Sequence, residues 1–333
     1  MNMTVLSDGG WGTALALLLI RNGHSVRQWG PFPEYIREIR KTRENSRFLP
    51  GARLPGELVL CEEMKDALDD SEIIVLASPS QYLRGTLAKF AEYHDPDRQI
   101  LVNVAKGIEI GSLKRMSELC EEILGKNRYC VLSGPSHAEE VALKCPTAIV
   151  AASADVKTAE TVQKAFMNEF FRVYTSTDVV GVELGGSLKN VFAIASGILD
   201  GMGLGDNSKA ALMTRGIAEM ARLGVALGGR NETFSGLSGI GDLIVTCISR
   251  HSRNRHVGEE LGRGRKIEEV LKEMGLVVAE GVKTAESAYN LALKHNVETP
   301  IINEVYAGLY LGKDPRKGVR DLMTRRARKE FDA

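Results

Sequence analysis

Residues 5–16 read VLSDGGWGTALA, and this stretch decides the fold. Apolar residues lead into a glycine-rich turn, and a run of alanine and leucine with helical spacing follows. A strand, a glycine-rich turn and a helix in this order are typical of a dinucleotide-binding fold, in which backbone N–H groups and the helix dipole stabilise a pyrophosphate. The alternative, a glycine-rich turn without a ligand, is disfavoured by this context. The expected pattern is G-x-G-x-x-G, and its glycine positions are Ser7, Gly9 and Gly12.

The alternation of strands and helices continues through the first half of the chain. Apolar, strand-like runs occur at 3–6, 25–29, 72–77, 99–104, 129–132 and 148–152. Helical spacing occurs at 11–22, 34–43, 80–90 and 113–124. This pattern predicts β-α-β units and a mainly parallel sheet that helices cover on both faces.

Strand signals largely disappear in the second half of the chain. The segments there suit helices, at 185–198, 208–227, 255–273, 283–295 and 301–311. We therefore predict an α/β fold, with a doubly wound, Rossmann-like dinucleotide-binding domain over residues 1–178. An all-helical substrate and catalytic domain is predicted over residues 179–333.

The composition excludes several classes of protein. The 333 residues include 43 Lys and Arg and 43 Asp and Glu, and this zero formal charge argues against nucleic acids and anionic membranes as partners. The five cysteines lack C-x-x-C spacing and no cluster has metal-ligand spacing, so we predict no metal and a reducing compartment. The longest apolar run near the N-terminus covers only residues 14–20, which predicts a cytoplasmic protein without membrane insertion.

Two features of the first β-α-β unit bear on the cofactor. Asp8 brings a negative charge to the predicted anion site, and Ser7 tolerates positive φ less well than glycine, so we predict weakened cofactor binding. The end of the second strand normally carries an acidic residue for NAD or an Arg for the 2′-phosphate of NADP. Residues 27–32 read RQWGPF, with neither at the expected place, and Arg37 and Arg40 follow on the next predicted helix. The choice between NADP and NAD stays open.

A basic stretch, RHSRNRH at residues 250–256, lies between two predicted helices. Arg side chains and helix N-termini both bind phosphate, which favours a small phosphorylated substrate. A solvated basic loop and an RNA-binding patch are the alternatives, and the lack of interleaved aromatic residues disfavours RNA. His137 follows Ser136, but there is no G-x-S-x-G elbow, so hydrolase chemistry is disfavoured.

Several further motifs occur in a fixed order along nearly the whole chain. They are WGTALA at 11–16, RENSRFLPG at 43–51, PSQ at 79–81, KGIE at 106–109, GPSHAEE at 134–140, VELGGSLKNV at 182–191, GIGDL at 239–243 and SRNR at 252–255. Together they resemble the bacterial NAD(P)-dependent glycerol-3-phosphate dehydrogenases. The resemblance implies a homodimer that reversibly reduces dihydroxyacetone phosphate to sn-glycerol 3-phosphate with NADPH or NADH, for glycerophospholipid synthesis.

The resemblance also implies roles for the residues at matching positions. Lys189 is expected to be the proton donor, and Lys106 and Asp242 are expected to tune it. The residues expected to bind the substrate are Lys106, Gly134, Ser136, Lys189, Asp242, Ser252, Arg253 and Asn254. Those expected to bind the cofactor are Gly9, Gly10, Trp11, Gly12, Pro31, Phe48, Lys106, Ala138, Arg253, Val278 and Glu280.

The chemistry of these residues suits ketone reduction. The developing alkoxide needs a proton, and a Lys with a pKa near neutrality can supply it. Lys106 would lower the pKa of Lys189 and Asp242 would raise it, so the net effect is open. Small residues one turn from Lys189 leave room for a ligand, although tight helix packing would give the same pattern. The rival functions are another two-domain dehydrogenase, such as a β-hydroxyacid or ketopantoate reductase, and a non-catalytic dinucleotide sensor.

Overall fold

The computed structural model describes residues 1–275, 278–327 and 329–330. The strands are β1 (Asn2–Leu6), β2 (Ser25–Trp29), β3 (Glu44–Asn45), β4 (Leu49–Arg53), β5 (Val59–Cys61), β6 (Ile73–Leu76), β7 (Ile100–Asn103), β8 (Arg128–Ser133), β9 (Thr147–Ala152) and β10 (Phe171–Ser176). The helices of the first half are α1 (Gly10–Arg21), α2 (Pro33–Thr42), α3 (Met64–Leu68), α4 (Ser80–Phe90), α5 (Met116–Leu124), α6 (Ala138–Ala142) and α7 (Val156–Phe166).

Helices alone make up the second half of the described chain. They are α8 (Val179–Gly201), α9 (Gly205–Ala226), α10 (Asn231–Phe234), α11 (Asp242–Ile248), α12 (Arg253–Gly262), α13 (Ile267–Met274), α14 (Glu280–Lys294), α15 (Pro300–Tyr310) and α16 (Pro315–Met323). A 3-10 turn at Ala91–Tyr93 and a π-helical turn at Leu237–Gly241 complete the set of elements.

The large sheet has the strand order β10-β9-β8-β7-β6-β1-β2-β5. Its neighbouring strands are parallel except for β8 and β9, which are antiparallel. Every residue of β6 is buried, as expected for a central strand that helices cover on both faces. The separate β3–β4 hairpin lies beside the N-terminus of α1. The predicted Rossmann-like α/β region and the helical region that follows are confirmed.

Several parts of the prediction differ from the structure, and the shorter elements β3, β4, β5, α3, α6, α10, α11 and α16 were not predicted. No element was predicted where α7 and β10 lie. The alternation in β10 is that of an edge strand, with Phe171 and Val173 buried and Arg172 exposed, and it is too short to be recognised beside a fully buried strand. The single helix predicted over 255–273 is wrong, because the chain turns at Gly264 with a φ of 91° and divides α12 from α13.

The central helix of the second half is α8. It is long and apolar enough to cross a membrane by length and composition alone, but 89% of its apolar window is buried inside the protein. Helices α9, α11, α12 and α14 pack around it. It therefore serves as the core helix of this region, and its apolar composition is explained by burial among other helices.

Helices α8 and α12 approach each other so closely that their backbones touch. A Cβ atom on Gly197 would lie 1.9 Å from a carbonyl oxygen of α12, and one on Gly258 would lie 1.9 Å from a carbonyl oxygen of α8. The contact repeats one turn later at Gly201 and Gly262. Only glycine fits at these positions, so the distance between the two helices is set by their main chains.

Candidate active site

Loops from the sheet and ends of helices meet at one place. Lys106 follows β7 and Gly134 follows β8, and the carboxyl ends of these parallel strands lie at the same edge of the sheet. Lys106 Nζ donates a hydrogen bond of 2.9 Å to the carbonyl oxygen of Gly134. Gly134 has a φ of 145°, and a Cβ there would lie 2.9 Å from Ile149 Cα, so the loop requires glycine. Ser136 Oγ donates to the same carbonyl at 2.9 Å.

Two lysines share one buried carboxylate. Asp242, the first residue of α11, is 1% exposed. Its Oδ2 accepts a hydrogen bond from Lys106 Nζ at 2.7 Å, and its Oδ1 accepts one from Lys189 Nζ. Lys189 lies in the middle of α8, is 6% exposed, and also donates to Thr246 Oγ1 at 2.8 Å. The three predicted catalytic residues are thus in direct contact.

The pKa of Lys189 is shifted down toward neutrality, as a proton donor requires. Burial lowers it to about 8, although Asp242 raises it, and the nearby charge of Lys106 lowers it further. The opposing effects of Lys106 and Asp242, which the sequence left open, are therefore both smaller than desolvation. A pKa of about 8 lets Lys189 give up and regain a proton near neutral pH.

His137 belongs to the same cluster, although the sequence analysis gave it no role. Burial, and after it the charge of Lys189, lowers its pKa, so the ring is neutral at neutral pH. Its Nε2 atom is buried and has no hydrogen-bond partner among the described residues. Its ring centroid lies 5.9 Å from that of His251. His137 therefore lies between the lysine cluster and the basic stretch. Its position next to Ser136, a predicted substrate residue, could have indicated from the sequence that it belongs to the site.

The basic stretch forms the rim of a cavity of about 450 Å³. The cavity is lined by Arg250, His251, Ser252, Arg253, His256, Glu273 and Met274. Ser252 caps α12, since its Oγ accepts the N–H of Arg255 at 3.2 Å. Arg253 extends to Val278 and donates to its carbonyl oxygen at 3.2 Å. A helix N-terminus and a set of cations in one cavity suit a phosphate group.

Two predicted site residues join helices to each other. The side chain of Asn254 donates to Asn190 Oδ1 at 2.9 Å and accepts the N–H of Gly281 at 2.9 Å. The buried carboxylate of Glu280 accepts the N–H of Ser80 at 2.9 Å and bonds to its hydroxyl. Burial raises the pKa of Glu280, and these bonds oppose the rise. Both residues therefore hold α12, α14 and α4 in register around the site.

The glycine-rich turn fits a dinucleotide. No side chain caps α1 and its first turn has no acidic residue, within the described part of the chain, so its N–H groups can receive an anion. A Cβ on Gly10 would lie 2.3 Å from the carbonyl oxygen of Phe48, which shows how closely the β3–β4 hairpin covers the turn. Trp11 Nε1 is buried there without a partner among the described residues. A Cβ on Gly12 would lie 3.2 Å from the Ala77 side chain, so glycine lets α1 pack on the sheet.

The remaining predicted cofactor residues have different surroundings. Gly9 donates its N–H to Ser7 Oγ at 3.0 Å within the turn. Ala138 is the first residue of α6 and packs against the core of the sheet region. Pro31 is exposed at the end of β2, and no contact in the structure bears on its role.

Thr246 and Asn190 are two more residues that the sequence analysis missed. Thr246 follows Asp242 by one helical turn, so the helical spacing could have placed it on the same face as Asp242, and in the structure it contacts Lys189. Asn190 directly follows Lys189, and its side chain donates to the carbonyl oxygen of Lys106 at 3.3 Å.

Comparison with known proteins identifies the family. A family model described as the N-terminus of NAD-dependent glycerol-3-phosphate dehydrogenase matches residues 2–159, and the model of the C-terminus matches residues 178–320. The chain belongs to the NAD-dependent glycerol-3-phosphate dehydrogenase family. The order of the two matches agrees with the sheet region and the helical region of the structure.

Relatives within this dehydrogenase family match over the full chain. Proteins named glycerol-3-phosphate dehydrogenase (NAD(P)+) from Thermoanaerobacter sp. (strain X514) and Chlorobium phaeobacteroides (strain BS1) are 52% and 51% identical, with 99% of each chain covered. The crystal structure of glycerol-3-phosphate dehydrogenase from Coxiella burnetii is 37% identical, covers 97% of this chain and 99% of its own, and superposes with a TM-score of 0.94.

Proposed function

We propose that this chain reduces dihydroxyacetone phosphate to sn-glycerol 3-phosphate with NADH or NADPH, reversibly. The observation that carries the proposal is the buried Lys106–Asp242–Lys189 cluster at the carboxyl edge of a dinucleotide-binding sheet. The family match and the names of the full-length relatives support the same reaction. The cluster also disfavours a non-catalytic sensor, since the three side chains needed for turnover are in contact.

In this mechanism Lys189 is the proton donor. The dinucleotide, when bound, supplies a hydride to C2 of the substrate, and Lys189 Nζ gives a proton to the oxygen on C2, so that one hydride and one proton reduce the ketone. Asp242 holds Lys189 in place, and burial, with a smaller contribution from Lys106, lowers its pKa, so that the proton is available near neutral pH. In the reverse direction neutral Lys189 takes the proton back.

The substrate phosphate is proposed to bind at the basic cavity. Ser252 and Arg253 supply donors at the N-terminus of α12, while Asn254 keeps this end of the helix beside Asn190. Gly134 and Ser136 are proposed to contact the rest of the substrate, because the hydrogen bonds to the Gly134 carbonyl keep them beside Lys106. The predicted cofactor residues are proposed to bind the dinucleotide, from the glycine-rich turn to Ala138, Val278 and Glu280.

The broader expectations from the sequence are also proposals. We propose a dinucleotide-binding domain over residues 1–178 and a catalytic domain over 179–333, since β10 ends at Ser176 and α8 begins at Val179. We propose a homodimer and a role in glycerophospholipid synthesis from the family resemblance, and a cytoplasmic location without membrane insertion from the composition.

The test is loss of absorbance at 340 nm with purified protein, NADH or NADPH, and dihydroxyacetone phosphate. We expect substrate-dependent oxidation of the reduced cofactor, and little with dihydroxyacetone, which lacks the phosphate. Turnover of ketopantoate or a β-keto acid in preference to dihydroxyacetone phosphate would support the rival dehydrogenases. Cofactor binding without turnover of any of these substrates would support the sensor instead.

A further inference from the structure

Two unusual features of the first β-α-β unit prove to be neighbours in space. The end of β2 carries no acidic residue to bind the adenosine ribose, and the glycine-rich turn carries an acidic residue where none is expected. Strands β1 and β2 are parallel and paired, with Leu6 opposite Trp29. The N–H of Ser7 continues this pairing by donating to the carbonyl oxygen of Trp29 at 2.9 Å. The residues that follow the two strands therefore lie side by side.

The side chain of Asp8 occupies the space that a side chain at Gly30 would need. A Cβ on Gly30, the residue directly after β2, would lie 2.6 Å from both Oδ2 and Cγ of Asp8 and 2.7 Å from its Cβ. Real Cβ atoms essentially never approach other atoms within 3.0 Å. The carboxylate of Asp8 and a side chain at residue 30 thus cannot occupy this space together. In this chain the carboxylate fills the space, and residue 30 is glycine.

The main chain of Asp8 is held in place, and one oxygen of its carboxylate lacks a hydrogen-bond partner among the described residues. Asp8 is 5% exposed, and its backbone carbonyl accepts a hydrogen bond from Asn45 Nδ2 at 2.6 Å. Its Oδ2 atom is buried and accepts no hydrogen bond within the described part of the chain. A buried acceptor without a donor is costly, so its retention points to a donor from a ligand. Burial raises the pKa of Asp8 to about 6, and Arg47 opposes the rise, so the group is ionised at neutral pH.

The arginines on this side of the sheet are engaged elsewhere. Arg37 and Arg40, which the sequence offered as partners for a 2′-phosphate, each donate to Glu62 at 2.9 Å. Arg47 pairs with Glu38 at 3.2 Å. A 2′-phosphate would therefore compete with existing ion pairs for these arginines and would approach the Asp8 carboxylate.

We propose that Asp8 supplies, from the glycine-rich turn, the carboxylate that the end of β2 lacks, and that it selects NADH over NADPH. It accepts a hydrogen bond from the free 2′-hydroxyl of the adenosine ribose and repels a 2′-phosphate. The sequence alone predicted only that this charge weakens cofactor binding. The inference rests on the proposed dinucleotide site, and it assigns the coenzyme preference that the sequence left open.

The test measures binding and does not depend on turnover. The purified apo enzyme is titrated with NADH and, separately, with NADPH in a calorimeter near neutral pH. We expect the wild-type Kd for NADH to be about tenfold to a hundredfold lower than that for NADPH, the order expected for a hydrogen bond to a charged group. In Asp8→Asn, which keeps the shape of the side chain, the Kd for NADPH falls and the two values converge.

Moving the carboxylate from residue 8 to residue 30 distinguishes recognition of the ribose from a purely structural role of Asp8. The double variant Asp8→Gly with Gly30→Asp empties the occupied space and puts the carboxylate at the usual position, so the NADH preference should return. Glu57→Gln is the matched control for the loss of one negative charge, since Glu57 is exposed and precedes β5, toward the opposite edge of the sheet, and its loss should leave the ratio of Kd values unchanged. Far-ultraviolet circular dichroism checks that each variant is folded.

The outcomes are distinct. Equal or tighter binding of NADPH by the wild type, or an unchanged Kd ratio in folded Asp8→Asn, overturns the role of Asp8 while leaving the dehydrogenase proposal intact. Failure of the wild type to bind either dinucleotide overturns both.

Discussion

Replacing Asp242 by Asn removes one negative charge from between two cations while keeping the shape of the side chain. In the wild type the carboxylate accepts from Lys106 at 2.7 Å and from Lys189, and it is 1% exposed. In Asp242→Asn the two ammonium groups face a neutral amide in a site with little water. Lys189 must then either stay charged without its counter-ion or lose its proton.

The magnitude follows from the burial of the pair. Removing one partner of a buried ion pair costs about 3–5 kcal/mol. The cost depends on pH, because burial already holds the folded-state pKa of Lys189 at about 8, below its ordinary value of 10.5. Folding therefore disfavours charged Lys189: the penalty is full below about pH 8 and vanishes as the pH rises toward 10.5. Since Asp242→Asn lowers this pKa further, its stability deficit should be largest at mildly acidic pH, where Lys189 is charged in both proteins, and should shrink as the pH rises through neutral toward about 8.

Two measurements test this reasoning. Calorimetric Tm values should fall by roughly 4–7 °C at about pH 5–6, at about 1.4 °C per kcal/mol for a chain of 333 residues, and by less at about pH 10. The rate of dihydroxyacetone phosphate reduction should decrease as the pH rises through about 8 in the wild type, because the donor must be protonated. The midpoint should lie at lower pH in the variant. A Tm within about 2 °C of wild type, together with an unshifted midpoint, would refute the buried counter-ion role.

The other predictions concern single side chains. Lys189→Met should reduce turnover by ~10²–10⁴-fold while calorimetry finds an unchanged Kd for the cofactor; normal turnover would show that another group donates the proton. Arg253→Ala should raise KM for dihydroxyacetone phosphate by about tenfold or more, and leave the slow turnover of dihydroxyacetone unaltered, if its guanidinium binds phosphate. Gly258→Ala should lower the free energy of unfolding in urea by about 1–3 kcal/mol, because its Cβ would lie 1.9 Å from the carbonyl of Ile194, whereas Gly85→Ala, with open space around it, should not destabilise α4. Asp8→Asn should stabilise the apo protein by about 3 kcal/mol at about pH 8, since the folded-state pKa of about 6 exceeds the ordinary 3.8 and ionisation is costly above it; below about pH 4 urea denaturation should find no gain.

The sequence predicted those parts of the fold in which one physical signal dominates. The first β-α-β unit combines a buried strand, a glycine turn and an apolar helix, and its elements were found within about two residues of their predicted ends. Strand β10 lies at the edge of the sheet, where half of its side chains face outward, so its apolar signal is weak. The division of α12 from α13 depends on one glycine in a left-handed conformation, which helical spacing does not reveal.

The site was predicted mainly through resemblance to a family. Lys106, Lys189 and Asp242 are far apart in the chain, and spacing alone does not bring them together. Direct contacts such as that of Thr246 with Lys189 depend on how α8 and α11 are rotated against each other. The proximity of Asp8 to Gly30 likewise requires the register of β1 and β2. Local sequence patterns predicted the strands and helices, whereas the contacts between them are seen only in the three-dimensional structure.

The glycine contact between α8 and α12 has a consequence for substrate size. Lys189 projects from α8, and Ser252 and Arg253 begin α12, so the proton donor and the proposed phosphate site belong to two helices whose main chains touch. Side-chain rotamers cannot widen or narrow that separation. The helix pair therefore fixes the distance between the proton donor, which meets the carbonyl end of the substrate, and the proposed site for its phosphate end. A substrate with a longer carbon chain between its carbonyl and its phosphate would not match this distance, even though every donor that recognises phosphate is present.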